Sequence, residues 1–166
     1  MIPVRRLNHA VLYVRDAATS ARWYADVFGF VIVTEVPGTA AFLRARATDN
    51  HHDLGLFTVG GHAPGPERGR VGLSHLAWQV DTVDDLVAAK AELVARGAYT
   101  GESDHGASKS LDGLDPDGNE FEIMWAVPPE AWGDAARAAV VRRLDLDAEM
   151  ARFGGTPGRP DADSTP

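Results

Sequence analysis

Two histidines and one glutamate have the residue types and the spacing of a metal site. His9 and His75 each lie near the start of an extended segment, and Glu122 lies in a third extended segment. Two imidazoles and one carboxylate form the facial triad that holds non-haem Fe(II) with open coordination positions. One strand histidine alone is more often a core residue. The residue types by themselves therefore leave a metal site and a structural role equally open.

Two further histidines are candidates for proton transfer. His52 shares a face with Leu54 and Leu56 by alternation, which predicts that it points inward. An unperturbed imidazole pKa of about 6.5 suits acid–base catalysis at neutral pH. His105 follows Asp104, whose carboxylate would hold its ring, in a predicted loop. A turn histidine bonded to the backbone, or an exposed one, fits the same patterns.

A repeated pattern of strand, helix and three strands would position these side chains. Each repeat spans about fifty residues and has a histidine at the same place in its first strand. We therefore predict an α+β fold of two βαβββ modules, about 5–60 and 72–127, whose sheets form a shared metal-binding trough. The first predicted strand and helix of each repeat are Leu7–Val14 with Ser20–Phe28, and Leu73–Val80 with Val83–Arg96.

The last strand of the second repeat carries the carboxylate. Asp115-Pro-Asp-Gly is a strong turn sequence, and the strand after it alternates, with Phe121 on one face and Glu122 on the other. Counting back from the strand ends aligns Leu56 of the first repeat with Glu122. The first repeat then supplies no carboxylate, which favours three protein ligands and open positions over a closed four-ligand site.

The C-terminal part of the chain is predicted to be a helical extension over 128–154. Helices are expected at Glu130–Arg143 and at Ala148–Phe153, and a disordered tail at 155–166. The apolar alanine–valine face of the first of these helices suggests a homodimer. The rest of the chain, 1–154, is expected to be a single domain.

Composition excludes several classes of function. The chain has 166 residues, a net charge of −8 and no cysteine. The acidic balance argues against nucleic acid or an anionic membrane as the partner, and a metal must be held by histidine and carboxylate. No membrane span or secretory leader is apparent, so a cytoplasmic location is expected.

The repeated unit resembles the vicinal-oxygen-chelate superfamily of glyoxalases, drug-resistance proteins and type I extradiol dioxygenases. His105, Leu111, Asp115-Pro-Asp-Gly and Glu122 match the extradiol dioxygenase signature in order and spacing. The resemblance implies an Fe(II) or Mn(II) site at His9, His75 and Glu122, and cleavage of a small aromatic diol by O2. It also implies that His52 is the acid–base catalyst and that His105 stabilises oxygen-derived charge.

Two positions depart from that signature, and one of them is Ser103, two residues before His105, which is not among the residues usual there. Asp112 stands where the family has a tyrosine, in a position expected to bind substrate, and an ionised carboxylate accepts but does not donate a hydrogen bond. Two other functions therefore stay open. One is a glyoxalase-type isomerase, lyase or epimerase, and the other is a non-catalytic small-molecule binding protein of the drug-resistance kind.

Overall fold

The computed structural model describes residues 1–159, and residues 160–166 lie outside the described part. The chain divides into two compact units. Unit 1 contains Met1–Arg68 and the turn Asp115–Gly118, and unit 2 contains Gly69–Leu114 and the chain from Asn119 onward. Of the predicted tail, Gly158 and Arg159 donate backbone hydrogen bonds to Asp81 and Ala126. Backbone hydrogen bonds thus continue to Arg159. The rest of the predicted tail, residues 160–166, lies outside the described part.

Unit 1 is a four-stranded mixed sheet covered on one face by a helix. Asp16 caps the helix by accepting a hydrogen bond from the Thr19 N–H at 2.7 Å, and Gly29 ends it with φ 68°. The strand order is β1-β4-β3-β2, with β1 parallel to β4 and the other neighbours antiparallel. Its elements are β1 (Ala10–Val14), α1 (Ala17–Phe28), β2 (Val31–Val36), β3 (Ala40–Arg44) and β4 (Leu54–Thr58).

Unit 2 has the same topology. Its strand order is β5-β8-β7-β6, again with the first strand parallel to the last and the other neighbours antiparallel. The prediction of two βαβββ modules is therefore confirmed. Its elements are β5 (Leu76–Val80), α2 (Val83–Ala95), β6 (Tyr99–Asp104), β7 (Ser108–Leu114), β8 (Glu120–Ala126) and a C-terminal helix α3 (Leu146–Phe153).

The strand registers correct the alignment of the two repeats. Glu122 pairs with Ala77 across β8 and β5, and the matching pair in unit 1 is Gly55 with Val11. Gly55, rather than Leu56, therefore occupies the position equivalent to Glu122. Leu56 is fully buried on the opposite face. Counting from strand ends failed because β4 ends at Thr58, which is the position equivalent to Trp125, whereas a count that selects Leu56 needs this strand to end one residue later.

The predicted helix over Glu130–Arg143 is wrong. The structure has two short 3₁₀ helices there, Pro129–Ala131 and Gly133–Ala136, followed by irregular chain. Gly133 adopts φ 53°, a left-handed conformation that interrupts a right-handed helix. The second predicted helix is confirmed as α3.

The Asp115–Gly118 turn is fixed by buried hydrogen bonds inside unit 1. The Tyr24 hydroxyl donates to Asp115 Oδ2 at 3.1 Å, and Asp115 Oδ1 accepts from the Asp117 N–H at 2.9 Å. Asp117 forms an ion pair with Arg15 at 2.8 Å and accepts a hydrogen bond from Ser20 at 3.2 Å. Burial, followed by the neighbouring Asp115 carboxylate, raises the pKa of Tyr24, so its hydroxyl stays protonated as the donor.

None of the helices within residues 1–159 combines the length and the apolar character needed to cross a bilayer.

Candidate functional site

The second unit contains two of the three predicted metal ligands side by side. His75 directly precedes β5, and its Nε2 lies 3.9 Å from Glu122 Oε2. The Glu122 side chain is only 13% exposed and that of His75 is 40% exposed, so a partly sheltered carboxylate faces an accessible imidazole. Two ligand atoms that each lie about 2.1 Å from a cation can be at most about 4.2 Å apart. The observed separation is therefore within the reach of one cation.

The third predicted ligand, His9, belongs to unit 1. The residue directly precedes β1, which begins at Ala10 rather than at the predicted Leu7, and its side chain is exposed. Its Nδ1 lies 2.8 Å from Asn8 Oδ1, which accepts the ring proton. That hydrogen bond selects the tautomer whose Nε2 lone pair is available to a metal.

His52 lies against His9 in the same unit. The two ring centroids are 4.7 Å apart, and the His52 ring also contacts Phe42 at 5.1 Å. His52 Nδ1 is 3.0 Å from the Nδ1 of the exposed His51, which leaves His52 Nε2 as its outward nitrogen. Burial lowers the pKa of His52, and the neighbouring His9 and His51 lower it further.

The buried carboxylate of Asp53 holds the loop before β4, which carries His51 and His52. Asp53 is 8% exposed, and its Oδ2 accepts hydrogen bonds from the Ala45 N–H and the Thr48 hydroxyl, both at 2.8 Å. Its Oδ1 accepts a third from the Asn50 amide at 2.7 Å. Because three donors from the same loop converge on one side chain, the loop before β4 has a defined shape.

His105 occupies the tight turn between β6 and β7. Its N–H donates to the Ser108 carbonyl, and its own carbonyl accepts from the Ala107 N–H, both at 2.9 Å. Asp104 does not hold the His105 ring as predicted. Its Oδ1 instead accepts hydrogen bonds from Lys109 Nζ at 2.6 Å and from the Gly106 N–H at 2.7 Å. The ammonium competes better for the carboxylate because it carries a full charge.

Asp112 lies on the same face of unit 2 as Glu122. The two residues are directly paired across β7 and β8. On the other side Asp112 pairs with Gly101 of β6, where an added Cβ would lie 3.4 Å from its Oδ2. The side chain therefore places a second carboxylate next to the predicted ligand Glu122.

The complete set of three ligands stays a prediction. The part of the chain that the structure describes contains no group of three or more histidine, aspartate or glutamate side chains spaced to hold a metal ion. The His75–Glu122 pair and the contact between His9 and His52 are the two local arrangements that fit such a site.

Sequence reasoning missed two functional candidates. Lys109 is buried in β7, on the same face as Leu111. The alternation of side chains along this strand could have predicted an inward-pointing lysine. His51 was not assigned a role, although its ring contacts the predicted acid–base residue.

The family follows from a comparison with known proteins. Residues 6–123 match the model of the Glyoxalase/Bleomycin resistance protein/Dioxygenase superfamily, and the chain belongs to this family.

Two named relatives are dioxygenases. The chain is 34% identical over 131 residues to biphenyl-2,3-diol 1,2-dioxygenase 3 of Rhodococcus globerulus, covering 76% of this chain and 67% of that protein. It is 29% identical over 127 residues to catechol-2,3-dioxygenase of Bacillus subtilis (strain 168), covering 76% of this chain and 43% of that protein. The chain thus spans under half the length of the second relative.

A solved structure shows the same fold. The glyoxylase/bleomycin resistance protein/dioxygenase domain from Frankia sp. EAN1pec is 25% identical and has a TM-score of 0.61. The match covers 74% of this chain and 98% of that one.

Proposed function

We propose that this protein is a metal-dependent extradiol dioxygenase that opens the ring of a catechol-like diol with O2. The observation that carries the proposal is the approach of His75 Nε2 to Glu122 Oε2, 3.9 Å apart on one edge of unit 2. His9, with its Nε2 free, would complete the ligand set. Fe(II) is the metal we propose, and Mn(II) accepts the same ligands.

The bound metal would supply Lewis acidity toward the two adjacent diol oxygens and redox chemistry toward O2. His52 would accept a proton from a diol hydroxyl at Nε2, since its Nδ1 faces His51. When His52 donates its Nδ1 proton to His51, its Nε2 carries the lone pair that acts as the base. His105 would donate a hydrogen bond to oxygen-derived charge from its turn between β6 and β7.

Asp112 would bind the substrate as an acceptor. Gly101 has no side chain against this carboxylate, since a Cβ there would lie 3.4 Å from Asp112 Oδ2. A substituent that donates hydrogen bonds is stabilised there, and a carboxylate substituent is repelled by Asp112 and Glu122 together.

The direct test is to load the protein with Fe(II) without oxygen, add a panel of catechols, admit air and follow absorbance for a yellow ring-opened semialdehyde. We expect colour and uptake of one O2 per diol. Absence of colour with every diol, in protein shown to hold one iron per chain, would contradict the ring-cleavage proposal and leave the metal site intact.

A second candidate function is a metal-dependent isomerase, lyase or epimerase of the glyoxalase type. The observation that favours it is Asp112, which places a second carboxylate on the face of Glu122. Activity with Ni(II) or Co(II) under argon would identify this function. A non-catalytic binding protein predicts instead that purified protein contains no metal. A homodimer and a cytoplasmic location remain predictions that go with the proposed enzyme.

A further inference from the structure

The turn that carries His105 is contacted by the C-terminal extension through three separate sets of interactions within unit 2. The first is a chain of buried charges. Lys109 Nζ lies 2.6 Å from Asp104 Oδ1 and 3.0 Å from Glu149 Oε1 of α3, and the lysine side chain is only 5% exposed. We call Asp104, Lys109 and Glu149 the ion chain.

The second set is a pairing of main chains. Asp104, the last residue of β6, donates its N–H to the Arg142 carbonyl and accepts from the Arg142 N–H, both at 2.9 Å. Arg142 Nε also lies 3.7 Å from Asp104 Oδ2. The residue before His105 is thus held by an isolated antiparallel bridge to the extension.

The third set is close packing against the tip of the turn. Gly106 has φ 76°, and a Cβ there would lie 2.4 Å from Ala135 Cβ and 2.9 Å from Val140 Cγ2. Only glycine satisfies both the backbone conformation and the contact. The residue after His105 is therefore enclosed by the extension as well.

The ion chain has one cation for two carboxylates, and its charge is balanced only when Arg142 is included. Asp104 and Glu149 are two carboxylates, Lys109 is one cation, and Arg142 supplies the second. Glu149 Oε2 is buried and has no hydrogen-bond partner within the described residues. A buried ion pair adds little net stability over apolar side chains, and one of its recognised uses is to fix a single arrangement.

We propose that the ion chain, together with the packing on Gly106, is a positioning device that fixes the His105 ring for catalysis. The C-terminal extension is then part of the catalytic unit, and Lys109 and Glu149 act through His105 without touching substrate. The catalytic part of this inference rests on the proposed function, in which His105 stabilises oxygen-derived charge.

The test uses the full-length protein with ¹³C-labelled histidine. The ring Cε1–H signals of the six histidines are observed by NMR, and His105→Asn assigns the signal of His105. Glu149→Ala breaks the ion chain, Glu149→Gln keeps a neutral acceptor for Lys109, and Asp147→Asn changes an exposed carboxylate two residues away on α3. We expect the His105 signal to shift or broaden in Glu149→Ala, to move less in Glu149→Gln, and to stay in place in Asp147→Asn.

Val140→Ala provides a second variant that loosens the packing on Gly106 and leaves every charge in place. It keeps the test decisive if Glu149→Ala does not fold. A His105 signal that stays unchanged in every folded variant of Glu149 and Val140 would overturn the inference, whatever the activity.

Kinetics on the iron-loaded protein separate positioning from simple support of the fold. We expect kcat to fall about tenfold or more in Glu149→Ala with KM nearly unchanged, and to recover in part in Glu149→Gln. A moved His105 signal with wild-type kcat would overturn the catalytic part. Absence of ring cleavage in the wild type would instead refute the proposed function, and the NMR signals would still decide whether the extension holds His105.

Discussion

At the scale of single residues, the position of the His52 ring is set by the aromatic side chains that contact it. Its ring lies between His9 and Phe42, and its Nδ1 faces His51, so one nitrogen is committed and the other is available. The exposed His62, in the linker between the two modules, is the matched control because no role is assigned to it.

We expect His52→Asn to lower kcat for ring cleavage by about 10²- to 10⁴-fold, since a positioned general base contributes that much. His62→Asn should behave as the wild type. Turnover and iron content are measured together. Loss of iron in His52→Asn would show that the side chain holds the metal rather than the proton.

Asp112 predicts the charge preference of the substrate site. With the carboxylate present, a catechol that bears an ammonium side chain should have a kcat/KM at least about tenfold above that of an isosteric catechol with a carboxylate, because a charge-assisted hydrogen bond forms only with the cation. Asp112→Asn should reduce this ratio toward one. Anaerobic binding titrations with the same two diols provide a readout that does not depend on turnover, and an unchanged ratio would remove Asp112 from the substrate site.

At the scale of elements, the Asp-Pro-Asp-Gly turn has a structural explanation that the signature alone did not provide. Both aspartates contact the first helix of unit 1 or the chain just before it: Asp115 contacts Tyr24, and Asp117 contacts Ser20 and Arg15, which lies two residues before the helix. The turn therefore serves stability, while Glu122, seven residues after Asp115, serves the proposed site.

Tyr24→Phe removes the donor to a carboxylate that is only 5% exposed. We expect the free energy of unfolding to fall by about 1–3 kcal/mol, the range for loss of a hydrogen bond to a charged group. Urea unfolding measures it, and Tyr13→Phe, on a side chain that is 74% exposed, is the control. Equal stability of the two variants would mean that the Tyr24 hydrogen bond contributes nothing.

The ion chain predicts a contribution to acid unfolding. Burial raises the pKa of Asp104, but hydrogen bonds from Lys109 and Gly106 and the charges of Lys109 and Arg142 outweigh it, and the pKa lies below its ordinary value. Glu149 also faces Lys109. A carboxylate with a lowered folded-state pKa stabilises the protein above its unfolded pKa of about 3.9, and that stability is lost as pH falls through the folded value.

Asp104→Asn should therefore be less stable than the wild type at pH 6, and the difference should shrink as pH falls below about 4. Urea unfolding at a series of pH values measures it. Asp26→Asn, an exposed carboxylate on α1, is the control for a general charge effect. A stability difference that is constant from pH 6 to pH 3 would contradict the assignment.

At the scale of the whole molecule, the proposed site predicts linkage between metal and stability. A divalent cation at 100 times its Kd stabilises the folded state by about 2.7 kcal/mol. We expect Fe(II) or Mn(II) to raise Tm in the wild type but not in His9→Ala, His75→Ala or Glu122→Gln. Glu130→Gln, at an exposed carboxylate, should keep the full shift. Retention of the shift in His9→Ala alone would show that unit 2 binds the cation without the first unit.

The amino-acid sequence by itself determined the helices and strands and which side chains share a face of a strand. Caps at Asp16 and Thr82 and alternation over Glu120–Ala126 are short-range patterns, so both helices and the orientation of Glu122 were predictable. The repeat of strand, helix and three strands, which is read from the same short-range patterns, predicted the topology of both modules.

Only the tertiary structure decided register and long-range partners. Whether Gly55 or Leu56 matches Glu122 depends on which residues pair across strands, and a shift of one residue exchanges the two faces of a sheet. That Lys109 also pairs with Glu149, on a helix forty residues later, could not be predicted from local pattern. Such contacts are set by how the elements pack, because a buried charge takes whichever partner the packing brings within reach.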